Sequence, residues 1–500
     1  MNHPYKLSVL ALLVAIYFLF LHDLVLENPN SESMDMPMAI GYLQDPANPM
    51  WQNYKEVDPF AYSYPNKTFH PEWMLKCSPF IMACYYPFVK LFGVNSLCVS
   101  AYGTFYSLLA LLLTFLMARK MFDKWTALLA CFFLISSLSW LIHTRCGQMQ
   151  IMPSVCLMIG VAYLIYEYEK YYWLKNCELL GTFIALAYLT GWIVFGFTLV
   201  MVALALLCLG RRQPIDVIGN VIRLTIMSFA TVAVFVFLYS FSVGYSFMEI
   251  NKAIWDGFTY RFNQGSVPAA NDLGLFDRIV YCLKCVFWDM KAFDHPDKYL
   301  EGVPSINLTF TVMFLIGLWY SRKESTLMLW LVSVFGVFLL YLYSGRYGLL
   351  VLPDMAIIAS HGILVLFKKL KYFTLPLLIG VIFIWIQTYH QYYNDFTLKR
   401  APNFEVDRMR GHYEVYEWLK SNFATPNNLI VLGDPINTNA WQLMFHNFDK
   451  PYRFKYYPID KEEATTVYLF GADTIKTQMK PDFTYSYNGK DLLYAFVIRK

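Results

Sequence analysis

Charge is scarce in this 500-residue chain: Asp, Glu, Lys and Arg together make up only 15% of it, against roughly a quarter in soluble globular domains. Such scarcity excludes an ordinary hydrated surface over most of the chain. The net charge is only +4, with no run of like charge, which leaves no nucleic-acid-binding arm. The ten cysteines are scattered and none follows Cys285, so there is no disulfide framework. Cys282 and Cys285 form a lone CxxC, without the second pair that a zinc site requires. Internal repeats and low-complexity segments are also missing. After the apolar N-terminal stretch MNHPYKLSVLALLVAIYFLFLHDLVL no small-residue cleavage site follows, so it is read as a retained first span and not a removed signal peptide.

What the chain has instead is apolar residues. It is 57% hydrophobic and 18% aromatic, with mean hydropathy +0.39. Apolar runs near spanning length recur at 7–26, 97–118, 125–142, 150–166, 179–191, 193–209, 224–243, 306–320, 326–343, 349–367 and 373–390. In the pair 179–209 only Gly191 and Trp192 mark the turn. The run 76–92, broken by Pro79 and Pro87, reads as an interfacial or half-inserted helix. Basic residues set the orientation. With the N-terminus inside, the inner loops collect Arg119, Lys120, Lys124, Lys170, Lys175, Arg211, Arg212, Arg223, Arg322, Lys323, Lys368, Lys369 and Lys371. Arg145 and Arg346 stand out as the bases of the short outer turns.

Eleven spans then place three large pieces outside: the loops 27–96 and 244–305, and the tail 391–500. The tail changes character. GHYEVYEWLKSNF and NTNAWQLMFHNF have helical spacing, NLIVLGD and TVYLF read as strands, and FTYSYNGKDLLYAFVIRK reads as a hairpin turning at Asn488-Gly489. The expected fold is mainly α: a polytopic membrane domain over 1–390, followed by a small extracytoplasmic α/β domain over 391–500.

On this topology the unusual polar residues gather at one face. Glu32, Asp35, His70, Glu72, Lys76, Arg145, Gln148, Gln150 and Arg346 all fall at or near the outer leaflet. Ionisable groups at membrane depth are rare and usually functional. Each also has a plain reading. Asp35 could be a solvated loop carboxylate, with Glu32 three residues earlier. His70, before a proline, could be a cap. Arg145 could snorkel to headgroups. Arg346 opens the stretch GRYGLLVLPDMAIIAS, beside Tyr347 and ahead of Pro353 and Asp354; a guanidinium there could grip a lipid phosphate by paired hydrogen bonds, or bind headgroups generically.

These pieces resemble, in order, the GT-C membrane glycosyltransferases, in the branch of dolichyl-phosphate-mannose protein mannosyltransferases and bacterial lipid A aminoarabinose transferases. The resemblance rests on SMDMPMAIGYL after the first span, FHPEWMLKCSPFIMACYYPFVKLFGVNS leading into a long span, the outer turn HTRCGQMQIMP, and GRYGLLVLP as an RYxxxxxP element. It covers most of 1–365. It implies a polyprenyl-phosphate sugar as co-substrate and transfer on the outer side. By position Asp35 would be the general base, deprotonating an acceptor hydroxyl for inverting attack. Arg346, Arg145 and His70 would steady the leaving phosphate, and Glu32, Glu72, Gln150 and Tyr347 would line the substrate site. Two departures stand out. Met36 follows Asp35 where the family often has a second acid, and Gln150 stands where the aminoarabinose branch often has one, which argues for a neutral hexose or pentose donor. Some members use a divalent metal and others none; no ligand cluster of convincing spacing appears. The implied partners are the lipid-linked donor, the membrane and a lipid, glycan or protein acceptor, with no nucleic acid. The implied location is a bacterial inner membrane with a periplasmic site. A lipid-linked sugar transporter and a non-catalytic assembly protein are the competing classes. The first would place polar groups at the bundle midplane; the second would account for the incomplete acidic pair.

Overall fold

The computed structural model describes residues 79–92, 96–137, 139–140, 144, 151–171, 176–209, 214–243, 246–252, 254–255, 274–287, 308–341, 345–369, 429–432, 453–456, 465–471, 480–487 and 490–499, with isolated positions between 376 and 386 and between 418 and 422. The helices are α1 (Pro79–Phe92), α2 (Ser96–Met121), α3 (Lys124–Ile135), α4 (Ile151–Tyr171), α5 (Cys177–Thr190), α6 (Trp192–Leu209), α7 (Pro214–Val243), α8 (Leu275–Phe287), α9 (Leu308–Ser321), α10 (Ser325–Tyr341) and α11 (Leu352–Lys369), with a 3-10 turn over Gly345–Leu350. The stretches Ala101–Met121, Ile151–Lys170 and Val217–Leu238 are each long and apolar enough to cross a membrane. The predicted runs at 7–26 and most of 373–390 lie outside the described residues.

The predicted span 125–142 is interrupted. Asp123 caps the start of α3, its Oδ1 accepting from the Trp125 and Thr126 amides at 2.9 and 2.8 Å. The helix stops at Ile135, where Ser136 sends both its amide and its hydroxyl to the Phe132 carbonyl, at 2.9 and 2.8 Å. Paired serines offer the backbone a local alternative to helix, which a count of apolar residues does not register. Twelve residues make a helix of only about 18 Å. Between α5 and α6 the turn is the single residue Gly191, at φ 155°, where a side chain would strain the backbone.

Helix contacts are closest where side chains are smallest. A Cβ on Gly317 in α9 would lie 2.0 Å from the Ile358 carbonyl oxygen of α11, and one on Gly362 would lie 2.4 Å from the Gly317 Cα. The helices therefore touch backbone to backbone, the close approach that small residues permit in membrane bundles. A Cβ on Gly181 of α5 would similarly lie 2.8 Å from the Leu224 carbonyl oxygen of α7, and Ser228 donates to the Gly181 carbonyl at 2.9 Å.

Polar contacts tie together the helix ends that the charge pattern assigns to the inner face. Lys120 at the end of α2 pairs with Glu167 near the end of α4 and donates to the Tyr163 hydroxyl at 2.9 Å. Glu169 of α4 caps the start of α10, accepting from the Ser325 and Thr326 amides at 3.1 and 3.0 Å. Arg223 of α7 pairs with Glu178 at the start of α5, and Lys369 of α11 donates to the Tyr320 hydroxyl of α9 at 3.5 Å. Burial, helped by the Glu169 charge and opposed by Lys170, raises the Glu324 carboxyl above the ordinary carboxylate range.

The tail forms a five-stranded sheet from β1 (Leu429–Leu432), β2 (Arg453–Tyr456), β3 (Thr465–Gly471), β4 (Phe483–Tyr487) and β5 (Lys490–Arg499), in the order β2-β1-β3-β5-β4. β1 runs parallel to both β2 and β3; β5 is antiparallel to β3 and β4. Thr466 through Phe470 are all buried, so β3 is covered on both faces. The hairpin expected around Asn488-Gly489 is present as the β4–β5 pair. β2 was not expected: RFKY is short, basic and only weakly patterned.

Candidate functional site

Arg346 and Tyr347 sit on the 3-10 turn, and the geometry of that turn follows from what holds it. The indole Nε1 of Trp330 in α10 donates to the Leu350 carbonyl at 2.9 Å. From Trp330 the helix climbs a further eleven residues to Tyr341, a rise of about 16 Å. Nine residues later the chain is back within reach of that indole. It has re-entered the bundle, and a 3-10 segment of six residues, about 12 Å long, covers most of the return. Arg346 therefore lies about 8 Å back along the turn from Leu350, towards the outer end of α10.

The turn is rigidly founded. Leu349, Leu350, Val351 and Leu352 are buried. The Val351 amide donates to the Gly348 carbonyl at 3.1 Å, and the Met355 amide to the Val351 carbonyl at 3.0 Å, so the turn leads directly into α11. Pro353 stands in the first turn of α11, where its missing N–H costs nothing. The turn packs on α4, α8 and α11. Because Glu169 pins the end of α4 to the start of α10, α10 returns antiparallel to α4. It delivers the turn towards the end of α4 that begins at Ile151, next in sequence to Gln150.

The flanking elements anchor the other candidate segments. α1 begins seven residues after Glu72, and an aromatic cluster fixes it to α2: Tyr85 and Phe88 contact the Tyr102 ring at centroid distances of 4.8 and 5.4 Å. Thr144 bonds to Ser107 of α2 at 2.5 Å, one residue before Arg145. The side chains of Arg346 and Tyr347, and Glu32, Asp35, His70, Glu72, Arg145 and Gln150 altogether, lie outside the described residues. The described backbone thus brings the Arg346 turn towards the start of α4, and leaves the meeting of the other candidates as a proposal.

One residue that was not among the candidates emerges. Asp354, four residues beyond the re-entrant segment, is fully buried, and neither carboxylate oxygen has a hydrogen-bond partner. Burying an unpaired carboxyl is among the costlier placements a fold can carry. The signal was in the sequence, as an acidic residue inside an apolar run, but a first-turn acid is also an ordinary helix feature. Among the described residues no group of three or more His, Cys, Asp or Glu could hold a metal ion.

Architecture and site define a bundle of apolar helices, three of them long enough to cross a membrane, with a turn carrying Arg346 that folds back against α10. No family model matches the chain, and no curated protein does. Solved structures do. ArnT from Cupriavidus metallidurans, bound to undecaprenyl phosphate, superposes with a TM-score of 0.58 at 12% identity, over 99% of this chain and 98% of that one. Its apo state matches over 98% and 97%, also at TM-score 0.58 and 12% identity. The Archaeoglobus fulgidus oligosaccharyltransferase, tethered to an acceptor peptide, matches with a TM-score of 0.51 at 16% identity, over 91% of this chain and 64% of that one. The fold is that of ArnT and of this oligosaccharyltransferase.

Proposed function

We propose that this protein is a membrane glycosyltransferase that moves a sugar from a polyprenyl-phosphate donor to an acceptor hydroxyl at the outer, periplasmic face, with inversion. The observation that carries this reading is the likeness, over nearly the whole chain, to ArnT bound to undecaprenyl phosphate. The re-entrant turn supports it, because it offers Arg346 from a buried, hydrogen-bonded base.

In this reading Asp35 removes the acceptor proton as its oxygen attacks the anomeric carbon, and the bond to the phosphate breaks on the opposite side. Arg346, Arg145 and His70 stabilise the charge that develops on the departing phosphate, while Glu32, Glu72, Gln150 and Tyr347 line the sugar and acceptor positions. A neutral hexose or pentose fits Gln150 better than an amino sugar. The tail over 391–500 is assigned as an extracytoplasmic α/β domain, and the membrane as a bacterial inner membrane.

The test is transfer from a radiolabelled polyprenyl-phosphate sugar by purified protein in nanodiscs, compared with Asp35→Asn and Arg346→Ala. Asp35→Asn should lose transfer by about 100-fold or more while donor binding persists; Arg346→Ala should weaken donor binding. Wild-type transfer rates in Asp35→Asn would remove Asp35 from the reaction. A second reading, lipid-linked sugar transport, draws on Asp354, an acidic group within a bundle where transporters place theirs. Donor movement across sealed proteoliposomes without any acceptor would favour it.

A further inference from the structure

Two cations at the basic helix ends are committed to acids, Lys120 to Glu167 and Arg223 to Glu178. Four others are not. Arg322 and Lys323 follow the end of α9, and Lys368 and Lys369 close α11. All four are exposed, and among the described residues none of them forms an ion pair. The acid next in sequence, Glu324, is half-buried and has Glu169 and Lys170 as its charged neighbours. α9 and α11 run side by side, in backbone contact at Gly317 and Gly362, so the four charges share one corner of the bundle; Lys369 reaches the Tyr320 hydroxyl across it at 3.5 Å. The carbonyl ends of the two helices offset part of this charge. The rest repels itself, and an anion from outside the chain would relieve it.

The surface leading to this corner identifies the anion. Val312, Leu315 and Trp319 are exposed and, at spacings of three and four residues, form one stripe along α9. Gly317, which touches α11, is two residues from both Leu315 and Trp319 and so lies about 200° around the helix from each; the stripe points away from α11. Arg322 continues it, with its guanidinium 3.8 Å from the centroid of the Trp319 ring. Stacking occupies the flat face of the guanidinium and leaves its in-plane N–H donors for an oxyanion, an arrangement suited to phosphate. A soluble phosphate would answer the cations and leave the apolar stripe bare. A zwitterionic lipid would cover the stripe and leave the net charge in place. An anionic phospholipid matches both ends.

We propose that the end of α9 binds an anionic phospholipid of the surrounding bilayer, with its phosphate held by Arg322, Lys323 and Lys369 and an acyl chain laid along Trp319, Leu315 and Val312. The inference needs the membrane and not the transfer reaction. The test reconstitutes the full chain in phosphatidylcholine nanodiscs with a trace of phosphatidylglycerol or of phosphatidylcholine, each carrying the same photoreactive diazirine on its acyl chain. After irradiation, mass spectrometry reads the label on the segment 308–323. Phosphatidylglycerol should label this segment several-fold more than phosphatidylcholine. Arg322→Gln should reduce the excess by up to about fivefold, and Arg322→Gln/Lys323→Gln should abolish it. Arg119→Gln, which removes an exposed cation from the end of α2, should leave it intact. Equal labelling of the wild-type segment by the two lipids would overturn the proposal, whether or not the double variant folds. So would an excess that survives the double variant, or one that Arg119→Gln lowers as much as Arg322→Gln, which would mean a diffuse attraction to the whole basic end. Soluble glycerol phosphate erasing the excess as well as unlabelled phosphatidylglycerol does would refute the role of the stripe. A segment labelled by neither lipid would mean that protein covers it, which also refutes the site.

Discussion

Adding one methyl group at Gly317 tests how the bundle holds its re-entrant turn. Two effects oppose each other in Gly317→Ala. Alanine is the better helix former by about 1 kcal/mol, which favours the variant. Against this, the new Cβ would stand 2.0 Å from the Ile358 oxygen and 2.6 Å from its carbonyl carbon. Both belong to backbone and cannot rotate away. Restoring ordinary contact requires α9 and α11 to part by more than 1 Å, roughly, and overpacking of this kind costs about 1–3 kcal/mol or more. The clash wins, and the variant should be destabilised by about 1–2 kcal/mol net. Gly336→Ala is the control, because no atom lies within 4 Å of its Cβ; it should be neutral or slightly stabilised. Gly317→Ala/Gly362→Ala loads the same crossing twice, so its cost should be less than the sum of the singles. Since α11 starts where the 3-10 turn ends, donor-lipid affinity should fall along with stability. Thermal unfolding in detergent, followed by a thiol-reactive dye, reads the first effect. Equal melting temperatures for Gly317→Ala and Gly336→Ala would refute the backbone-contact argument.

Three further perturbations separate the turn, the buried acid and the inner face. Trp330→Phe leaves the Leu350 carbonyl without its donor and should cost about 1–3 kcal/mol, with weaker donor binding; an unchanged melting temperature would show that the indole does not hold the turn. Asp354→Leu removes a buried carboxyl without partners and should raise stability by about 1–3 kcal/mol while lowering activity. Higher stability with full activity would make Asp354 a structural relic without a role in function. Glu324 has its folded pKa raised by burial and by Glu169, so its ionised form costs stability from the ordinary carboxylate pKa of about 4.3 upward, and that cost is absent below it. Glu324→Gln should therefore melt higher than wild type at neutral pH, with the difference vanishing below about pH 4; a difference that persists in acid would point to packing instead.

Much of the architecture was legible because the bilayer enforces simple rules. A run such as 97–118 must be helical, since lipid offers no partner to an exposed backbone, and α2 covers it. The basic residues at 119–120, 170, 322–323 and 368–369 marked one end of the bundle, and the bonds of Lys120, Glu169 and Lys369 unite those ends. The Gly191 turn and the β4–β5 hairpin were equally readable, because each rests on local conformational preference. The break at Ser136 was not, because two serines in an apolar run change the mean hydropathy little. α8 was missed because charged residues at 277, 278 and 284 keep its apolar residues from forming a run of spanning length.

The sequence by itself determined what depends on local chemistry: the apolar runs, the basic residues gathered at one set of helix ends, and the expectation that Asp35, His70, Arg145 and Arg346 share the opposite face. Only the tertiary structure decided that the Arg346 turn re-enters the bundle against Trp330, that Gly317 and Gly362 let α9 and α11 meet backbone to backbone, and that Asp354 is buried without a partner. The physical reason is distance along the chain. Trp330 and Leu350 are twenty residues apart and Gly317 and Gly362 forty-five, so their contacts are properties of the packed bundle, and no window of sequence contains them.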